Sequence, residues 1–157
     1  MEHWLAALEA SAFAQWMRGA GLAYALANLA HLLGLVLLLG SMLLLDLRLL
    51  GCGRRLALPE VSRLLTRFAL AGLALQVCSG AALFAADAVP LSGNPAFRWK
   101  LVMIAAALAN AVLFRAVWSR SIADWDRSPP LAGKMQAALS LVLWLGVAAA
   151  GRLIAYT

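Results

Sequence analysis

The chain has 157 residues, of which 64% are hydrophobic and 13% are charged, with 13 Lys and Arg against 7 Asp and Glu. Soluble domains are about 45–50% apolar, so this composition excludes a water-soluble globule and predicts an integral membrane protein. The net charge of +6 does not indicate nucleic-acid binding, because the basic residues cluster at the ends of apolar runs, where membrane topology accounts for them.

The first predicted element is an amphipathic helix over residues 3–18 that lies on the membrane surface, with Glu9 and Arg18 in water. Tryptophan favours the headgroup level of a bilayer. The alternative is that this stretch begins a long first span, but Gly19 and Gly21 favour a break between the two. The apolar face of the predicted helix comprises Trp4, Leu5, Leu8, Phe13, Trp16 and Met17.

Four later runs are long enough to cross a hydrocarbon core of about 30 Å at about 1.5 Å per residue. Gly51 is expected to end the first, Asn94 to cap the third, and Ser128 to cap the fourth. The predicted fold class is all-α: a four-transmembrane-helix bundle with an N-terminal interfacial helix, forming one integral membrane domain over residues 1–157. The predicted spans cover residues 20–50, 59–87, 95–118 and 129–156.

The basic residues are divided unevenly between the two sides of the predicted bundle. Four lie at the N-terminus, the connection between spans two and three, and the C-terminus: Arg18, Arg98, Lys100 and Arg152. Nine lie on the other side: Arg48, Arg54, Arg55, Arg63, Arg67, Arg115, Arg120, Arg127 and Lys134. Cytoplasmic loops carry the excess of Lys and Arg. The sequence therefore predicts a multi-pass protein of the bacterial inner membrane with both termini in the periplasm.

Polar side chains interrupt the first span. Tyr24, Asn28 and His31 share one helical stripe with the apolar residues that follow at the same spacing, and lipid cannot solvate them. We therefore expect this stripe to face inward. Gln76 of the second span and Asn110 of the third fall at similar depth, which predicts a cluster with Asn28 and His31. A hydrogen-bonded network that holds the helices together is the simplest interpretation of such a cluster.

A second interpretation is that His31 is an axial ligand of heme b, because a neutral imidazole in an apolar bundle is a suitable iron ligand. The other residues expected around this heme are Tyr24, Asn28, Gln76 and Asn110. A second axial ligand would come from His31 of another subunit, from His3, from a methionine or from a second protein. Small residues, among them Gly34, Gly72 and Gly80, would leave room for the porphyrin or allow tight helix packing.

A third interpretation is a copper site. Copper(I) prefers thiolate, thioether and imidazole ligands, which His31, Met42, Met103 and Cys78 would supply. The sequence has no pair of soft ligands at metal-binding spacing, and methionines in so apolar a chain also suit packing.

Asp46 and Arg48 need separate partners, because residues two apart on a helix point in opposite directions. Arg115 is the expected partner of Asp46. A structural ion pair is one interpretation of these charges, and a proton or anion path is the other. Hydrolytic and phosphate-binding motifs are absent from the sequence, so an autonomous enzyme is not expected.

Two stretches, HLLGLVLLLGSMLLLDLRLLG from His31 and NPAFRWKLVMIAAALAN from Asn94, accompany a W-x-x-x-x-E segment at Trp4. Together they resemble a family of small, functionally uncharacterised four-helix bacterial inner-membrane proteins. More distantly, the bundle is similar to the copper-resistance D membrane proteins and to b-type cytochrome bundles.

The predicted function is a redox or cofactor-binding membrane subunit, with heme b at His31 and a periplasmic or membrane redox partner. The alternatives are copper handling, small-solute transport, or a non-catalytic anchor or scaffold without a cofactor. The lipid bilayer is the expected surrounding. Small residues at helical spacing, such as Ala105 and Ala109, make a homo-oligomer plausible.

Overall fold

The computed structural model describes residues 2–156, with side chains for residues 3–154 and 156. Met1 and Thr157, the ends of the predicted domain, lie outside the described residues. The described part contains seven α-helices, two short 3₁₀ turns and no strand. The all-α prediction is confirmed. The α-helices are α1 Glu2–Glu9, α2 Ala12–Gly19, α3 Gly21–Leu50, α4 Leu58–Ala86, α5 Ala88–Gly93, α6 Pro95–Trp118 and α7 Leu131–Leu153, and the 3₁₀ turns are Ile122–Asp124 and Ile154–Tyr156.

Four helices, α3, α4, α6 and α7, are long and apolar enough to cross a membrane. Two of the predicted ends are observed. Gly51 ends α3 with a left-handed φ of 114°, and the Asn94 side chain accepts hydrogen bonds from the amides of Ala96 and Phe97 at the start of α6. Both ends use the chemistry expected of their residue types.

The start of α7 differs from the prediction, since the helix begins at Leu131 and Ser128 does not cap it. Pro130 is the N-cap residue and is extended, with φ −66° and ψ 131°. The residue before a proline is disfavoured in helical conformation, which keeps Pro129 outside the helix as well.

The N-terminal segment and the connection after α4 also differ from their predictions. The single helix expected over residues 3–18 is two helices, because the chain turns at Ala10 and the Ser11 hydroxyl accepts a hydrogen bond from the Ala14 amide to start α2. The connection expected to be a loop after Asp87 contains the short helix α5.

These N-terminal helices pack against the end of the bundle where α4 and α5 meet. The Arg18 guanidinium donates to the carbonyls of Glu9 and Ala86, and the Glu9 carboxylate accepts from the Val89 amide at 2.9 Å. The residues of the predicted apolar face point in two different directions. Leu5 and Met17 are buried against the bundle, whereas the aromatic side chains Trp4, Phe13 and Trp16 are about half exposed.

The four long helices do not form a closed ring. Helix α3 packs against α4 and α7, and α6 packs against α7, but α4 and α6 are not close neighbours along their length. We call the resulting gap the α4–α6 cleft. The central core is formed by Leu38, Ala69, Ala107, Trp144 and Val147.

Two glycines allow α3 and α4 to approach closely. A Cβ at Gly72 would lie 2.5 Å from the Leu38 amide nitrogen, and one at Gly34 would lie 3.0 Å from the Gln76 amide nitrogen. Real Cβ atoms do not approach backbone this closely. The backbones of the two helices therefore pack together directly, as small residues permit between apolar helices.

Candidate functional site

His31 lies between α3 and α4 and is half-buried. Its Nδ1 is 3.0 Å from the Ser79 hydroxyl, and that hydroxyl donates its own proton to the Leu75 carbonyl at 2.6 Å. Because the hydroxyl proton is already engaged, this network assigns the ring proton to Nδ1, donated to Ser79. The Nε2 lone pair of the neutral ring is then available to a ligand. Gly80 lies against the ring, since a Cβ there would be 3.3 Å from Cε1.

The cluster predicted around His31 is only partly assembled. Gln76 donates to the His31 backbone carbonyl at 2.6 Å. Asn28, however, is exposed, because at about 100° per residue it points about 120° away from Gly34, where α3 meets α4. The Tyr24 hydroxyl donates to Asp87 at 3.1 Å. The prediction that the whole polar stripe of α3 faces inward is wrong at Asn28.

Asn110 belongs to a different part of the bundle. It exchanges hydrogen bonds with Gln136 of α7: its side-chain amide donates to the Gln136 carbonyl, and the Gln136 amide donates to the Asn110 carbonyl. The Trp118 indole also donates to Gln136, at 2.9 Å. These amides join α6 to α7 and have no part in a site at His31.

The predicted copper ligands are not brought together. Met42 follows His31 by 11 residues on the same helix, about 16 Å along its axis. Met103 packs against Gly146 of α7, and Cys78 is a free, exposed thiol. Among the described residues, no three His, Cys, Asp or Glu side chains are placed to hold a metal ion. The four predicted ligands therefore do not form one site.

The glycines that were expected either to leave room for a porphyrin or to allow tight helix packing have identifiable roles in the structure. Gly34 and Gly72 bring two backbones into contact, and Gly80 accommodates the imidazole. They serve the alternative named above, tight helix packing. Heme at His31 stays a prediction that rests on the imidazole and not on these glycines.

A cavity of about 230 Å³ lies between the four long helices, in the half of the bundle nearer the turn between α3 and α4. Most of its lining is aliphatic or aromatic, including Leu45, Leu73, Leu108 and Phe114. Asp46 and Trp144 also line it and are only 3% and 2% exposed. Helices α3 and α7 thus provide its buried floor, while α4 and α6 form its sides.

Three buried polar atoms on this floor make no hydrogen bond of ordinary geometry among the described residues, although the Asp46 carboxyl and the Ser140 hydroxyl lie close enough to interact: Asp46 Oδ2, Ser140 Oγ and Trp144 Nε1. We call these residues the floor triad. An unsatisfied buried donor or acceptor costs about 1–3 kcal/mol, and native proteins contain few of them. Three such atoms, on residues that line one cavity, single out this part of the bundle as a candidate site.

The predicted ion pair between Asp46 and Arg115 is not formed. Arg115 is exposed at the side of the cavity and donates from Nη1 to the Thr66 hydroxyl at 2.9 Å. Arg48 forms a bidentate ion pair with Asp126 instead, at 2.9 and 2.6 Å. The sequence identifies Asp46 as a charged residue that needs a partner. It does not distinguish Ser140 and Trp144 from other residues with a polar atom in an apolar run.

The cavity opens sideways through the α4–α6 cleft. Leu70 of α4 and Val112 of α6 line it and are 60% and 70% exposed, so they mark its mouth. The bond between Arg115 and Thr66 crosses the cleft near one end, and Phe84 stacks on Phe97 across the other, with ring centroids 5.6 Å apart. A molecule entering here would come from the side of the bundle.

The residues between α6 and α7 cover one end of the bundle. Trp125 is 2% exposed, donates to the Leu49 carbonyl at 3.0 Å, and packs on Gly133. Arg48 also donates to the Leu56 carbonyl. Hydrogen bonds from the Arg48 guanidinium to Asp126 lower the pKa of that carboxyl below its ordinary value. This cover makes the lateral mouth the more open route to the cavity.

The chain belongs to a family of unknown function, DUF6644, whose family model matches residues 8–157. The resemblance to an uncharacterised family is thereby confirmed. No curated protein and no solved structure matches the chain. The more distant similarity to copper-resistance D proteins and b-type cytochromes stays a prediction.

Proposed function

We propose that this chain is a multi-pass protein of the bacterial inner membrane that binds a small lipid-soluble solute in the cavity above the floor triad. Four long apolar helices support the membrane assignment. The excess of basic residues in the connections between α3 and α4 and between α6 and α7 supports periplasmic termini. Solute binding of this kind is the first step of small-solute transport.

The observation that carries the proposal is the floor triad. Polar groups inside a membrane bundle normally face a partner or a cavity. The three residues of the triad line a cavity, and their polar atoms, which neighbouring atoms cover, make no hydrogen bond of ordinary geometry among the described residues. Asp46 Oδ2 accepts a hydrogen bond, Trp144 Nε1 donates one, and the Ser140 hydroxyl can do either. An apolar molecule with one hydroxyl group can donate a hydrogen bond to Asp46 and accept one from Trp144.

The size and position of the cavity agree with such a solute. An apolar cavity of about 150 Å³ is known to admit benzene, so about 230 Å³ accommodates a substituted ring. The mouth between Leu70 and Val112 opens where the chain would meet lipid, which is where a hydrophobic solute concentrates. The solute would enter with its apolar body toward the mouth and its hydroxyl toward Asp46.

Phenol and toluene are suitable probes, because they are similar in size and only phenol carries a hydroxyl. With the protein in nanodiscs, we expect phenol to raise the thermal unfolding midpoint more than toluene at equal membrane concentration. A ligand at ten times its Kd contributes about 1.4 kcal/mol to stability. The Asp46→Leu variant should respond equally to both probes, and Ser79→Ala, remote from the cavity, should keep the difference. Equal responses in the unchanged protein would exclude this solute class.

The geometry of His31 favours heme b as a second candidate. Its Nδ1–H is engaged by Ser79, as the outer nitrogen of a metal-bound histidine usually is. This leaves Nε2 for iron, with the second ligand supplied by another copy or another protein. Protein purified after growth with heme precursors should show a Soret band that His31→Ala removes and Asn28→Ala retains. A colourless protein that takes up no added heme would refute this candidate.

A further inference from the structure

We propose that a basic depression beside the cavity binds the headgroup of an anionic phospholipid, with one acyl chain lying in the α4–α6 cleft. The proposal rests on the membrane placement proposed above but not on the solute. The lipid would bind a surface next to the solute cavity and would cover the open side of the bundle.

The depression, which we call the arginine vestibule, has a volume of about 360 Å³. Its charged lining consists of Arg63 and Arg67 from α4 and Arg115 from α6, and no acidic residue lines it. Arg63 and Arg67 lie one turn apart, so both face the same side of α4. Three arginines from two helices therefore line one concave surface.

The vestibule arginines are not neutralised by the protein. The salt bridges among the described residues engage Arg48 and Arg127, and neither belongs to the vestibule. Glu60 lies one turn before Arg63 on α4 but is exposed and forms no salt bridge with it. Arg115 bonds Thr66 through one nitrogen, which leaves other N–H groups of its guanidinium for a ligand. The surface therefore carries uncompensated positive charge.

Phosphate is the anion that suits this surface. The planar guanidinium fork binds phosphate oxygens in pairs, which makes arginine the usual residue for phosphate recognition. Basic pockets between spanning helices on the cytoplasmic side bind anionic lipid headgroups. The positive-inside distribution puts the vestibule on that side.

The vestibule is continuous with the mouth of the cavity. Thr66 and Arg115 line both the vestibule and the cavity, and Leu70 and Val112 follow along the cleft. Leu70 and Val112 present apolar surface that the protein leaves uncovered. A lipid with its phosphate on the arginines would lay its chain along this surface, and a solute that enters the cavity would displace the chain from the mouth. The positive charge of the vestibule suits any anion, but only a lipid also has an acyl chain to cover the apolar surface that continues from the vestibule along the cleft. A lipid is therefore favoured over a soluble anion.

Native mass spectrometry of the full chain, released from nanodiscs of phosphatidylcholine and phosphatidylglycerol, tests this proposal. We expect one phosphatidylglycerol to be retained in preference to phosphatidylcholine. Replacing Arg63, Arg67 and Arg115 together by Gln should reduce retention about tenfold, and Arg67→Gln alone should reduce it in part with the fold intact. The control, Gln at Arg55, Arg120 and Arg127, removes the same charge from exposed positions at the same end of the bundle and should retain the lipid.

Each other outcome counts against the proposal. Equal retention of both lipids would mean that the apolar cleft alone holds them. Equal loss in the control would mean that general charge attracts them, and displacement by millimolar inorganic phosphate would mean that a free anion is the occupant. The readout is separate from the phenol experiment: loss of phenol discrimination with lipid retention intact would refute the solute site and leave this one standing.

Discussion

Two buried serines show how differently the same side chain is used in this bundle. Ser79 is 6% exposed and its hydroxyl makes two hydrogen bonds, donating to the Leu75 carbonyl and accepting from His31. Ser140 is 3% exposed, and its hydroxyl makes no hydrogen bond of ordinary geometry among the described residues, although the Asp46 carboxyl lies close to it. Paired polar atoms stabilise a fold, while unpaired ones cost free energy. Under the proposed function, Ser79 is a structural serine and Ser140 is one that contacts the solute.

We expect Ser79→Ala and Ser140→Ala to change stability in different ways. Ser79→Ala leaves His31 Nδ1 without an acceptor and should cost about 1–3 kcal/mol. Ser140→Ala removes a hydroxyl that makes no hydrogen bond of ordinary geometry, so the free energy of unfolding of this variant should stay within about 0.5 kcal/mol of the unchanged protein or rise. Reversible unfolding in mixed micelles measures both. A cost at Ser140 equal to that at Ser79 would show that the Ser140 hydroxyl is paired in the protein.

The sequence predicts the depth of a residue in the bundle better than it predicts that residue's partner. His31 and Gln76 were expected at one depth and do meet, because helical rise alone places them there. The partner expected for Asp46, Arg115, instead reaches Thr66 across the cleft. Which residues face one another depends on which helices are neighbours and how they cross. Helical periodicity does not contain that information, so the floor triad could not be found from sequence.

At the scale of elements, the junction of α3 and α4 depends on close backbone approach. Gly72 lies where a Cβ would meet the backbone of Leu38 and Gly34, whereas a Cβ at Gly40, in the same helix as Gly34, would have nothing within 4 Å. Sequence analysis recognised these glycines only as small residues. The helix ends at Gly51 and Asn94 were predictable because capping depends on nearby residues alone. The contact at Gly72 was not, because it depends on how two helices pack.

Gly72→Ala should therefore push α3 and α4 apart and cost about 1–3 kcal/mol, as overpacking does. Gly40→Ala should be neutral or stabilise by about 0.5–1 kcal/mol, because alanine restricts the unfolded chain and fits a helix. Unfolding titrations in detergent compare the two. Equal effects would mean that the helices do not touch at Gly72.

The contact between the end of α3 and the segment before α7 should respond to acid. Arg48 lowers the folded-state pKa of Asp126 below its ordinary value of 3.8. A carboxyl with a lowered pKa contributes stability that is complete above the ordinary pKa and is lost as pH falls through the folded-state pKa. The contribution should therefore be constant from neutral pH down to about pH 5 and disappear below the ordinary value.

Asp126→Asn tests this contribution. Asp126 is 40% exposed and Arg48 is 4% exposed, so their ion pair is intermediate between an exposed pair and a buried one. At pH 7 the substitution should therefore lower the free energy of unfolding by between about 0.5 kcal/mol, the value for an exposed pair, and about 3 kcal/mol, the value for a buried pair. The difference from the unchanged protein should vanish in strong acid. Asp124→Asn is the control, because the pair of Asp124 with Arg127 is highly exposed. A difference that persists below pH 2 would contradict the ion-pair account.

For the whole molecule, the charge distribution favours the orientation proposed above, with the basic connections in the cytoplasm. The turn between α3 and α4 carries Arg54 and Arg55, and the segment between α6 and α7 carries further basic residues. The N-terminal helices lie at the opposite end, where the half-exposed Trp4 and Trp16 are positioned to meet the headgroups of the periplasmic leaflet. In the proposed orientation the arginine vestibule is cytoplasmic, where anionic headgroups attract basic side chains.

The native cysteines allow this orientation to be tested with little change to the chain. Cys52 is exposed in the turn after α3, and Cys78 is exposed on the outer side of α4, where lipid would shield it. In intact spheroplasts of a Cys78→Ala strain, a membrane-impermeant maleimide should leave Cys52 unlabelled until the membrane is opened. Adding Ala10→Cys to a chain that lacks both native cysteines should give labelling without opening, because Ala10 is exposed in the turn between α1 and α2. Labelling of Cys52 in intact cells would reverse the orientation and would place the vestibule on the periplasmic side.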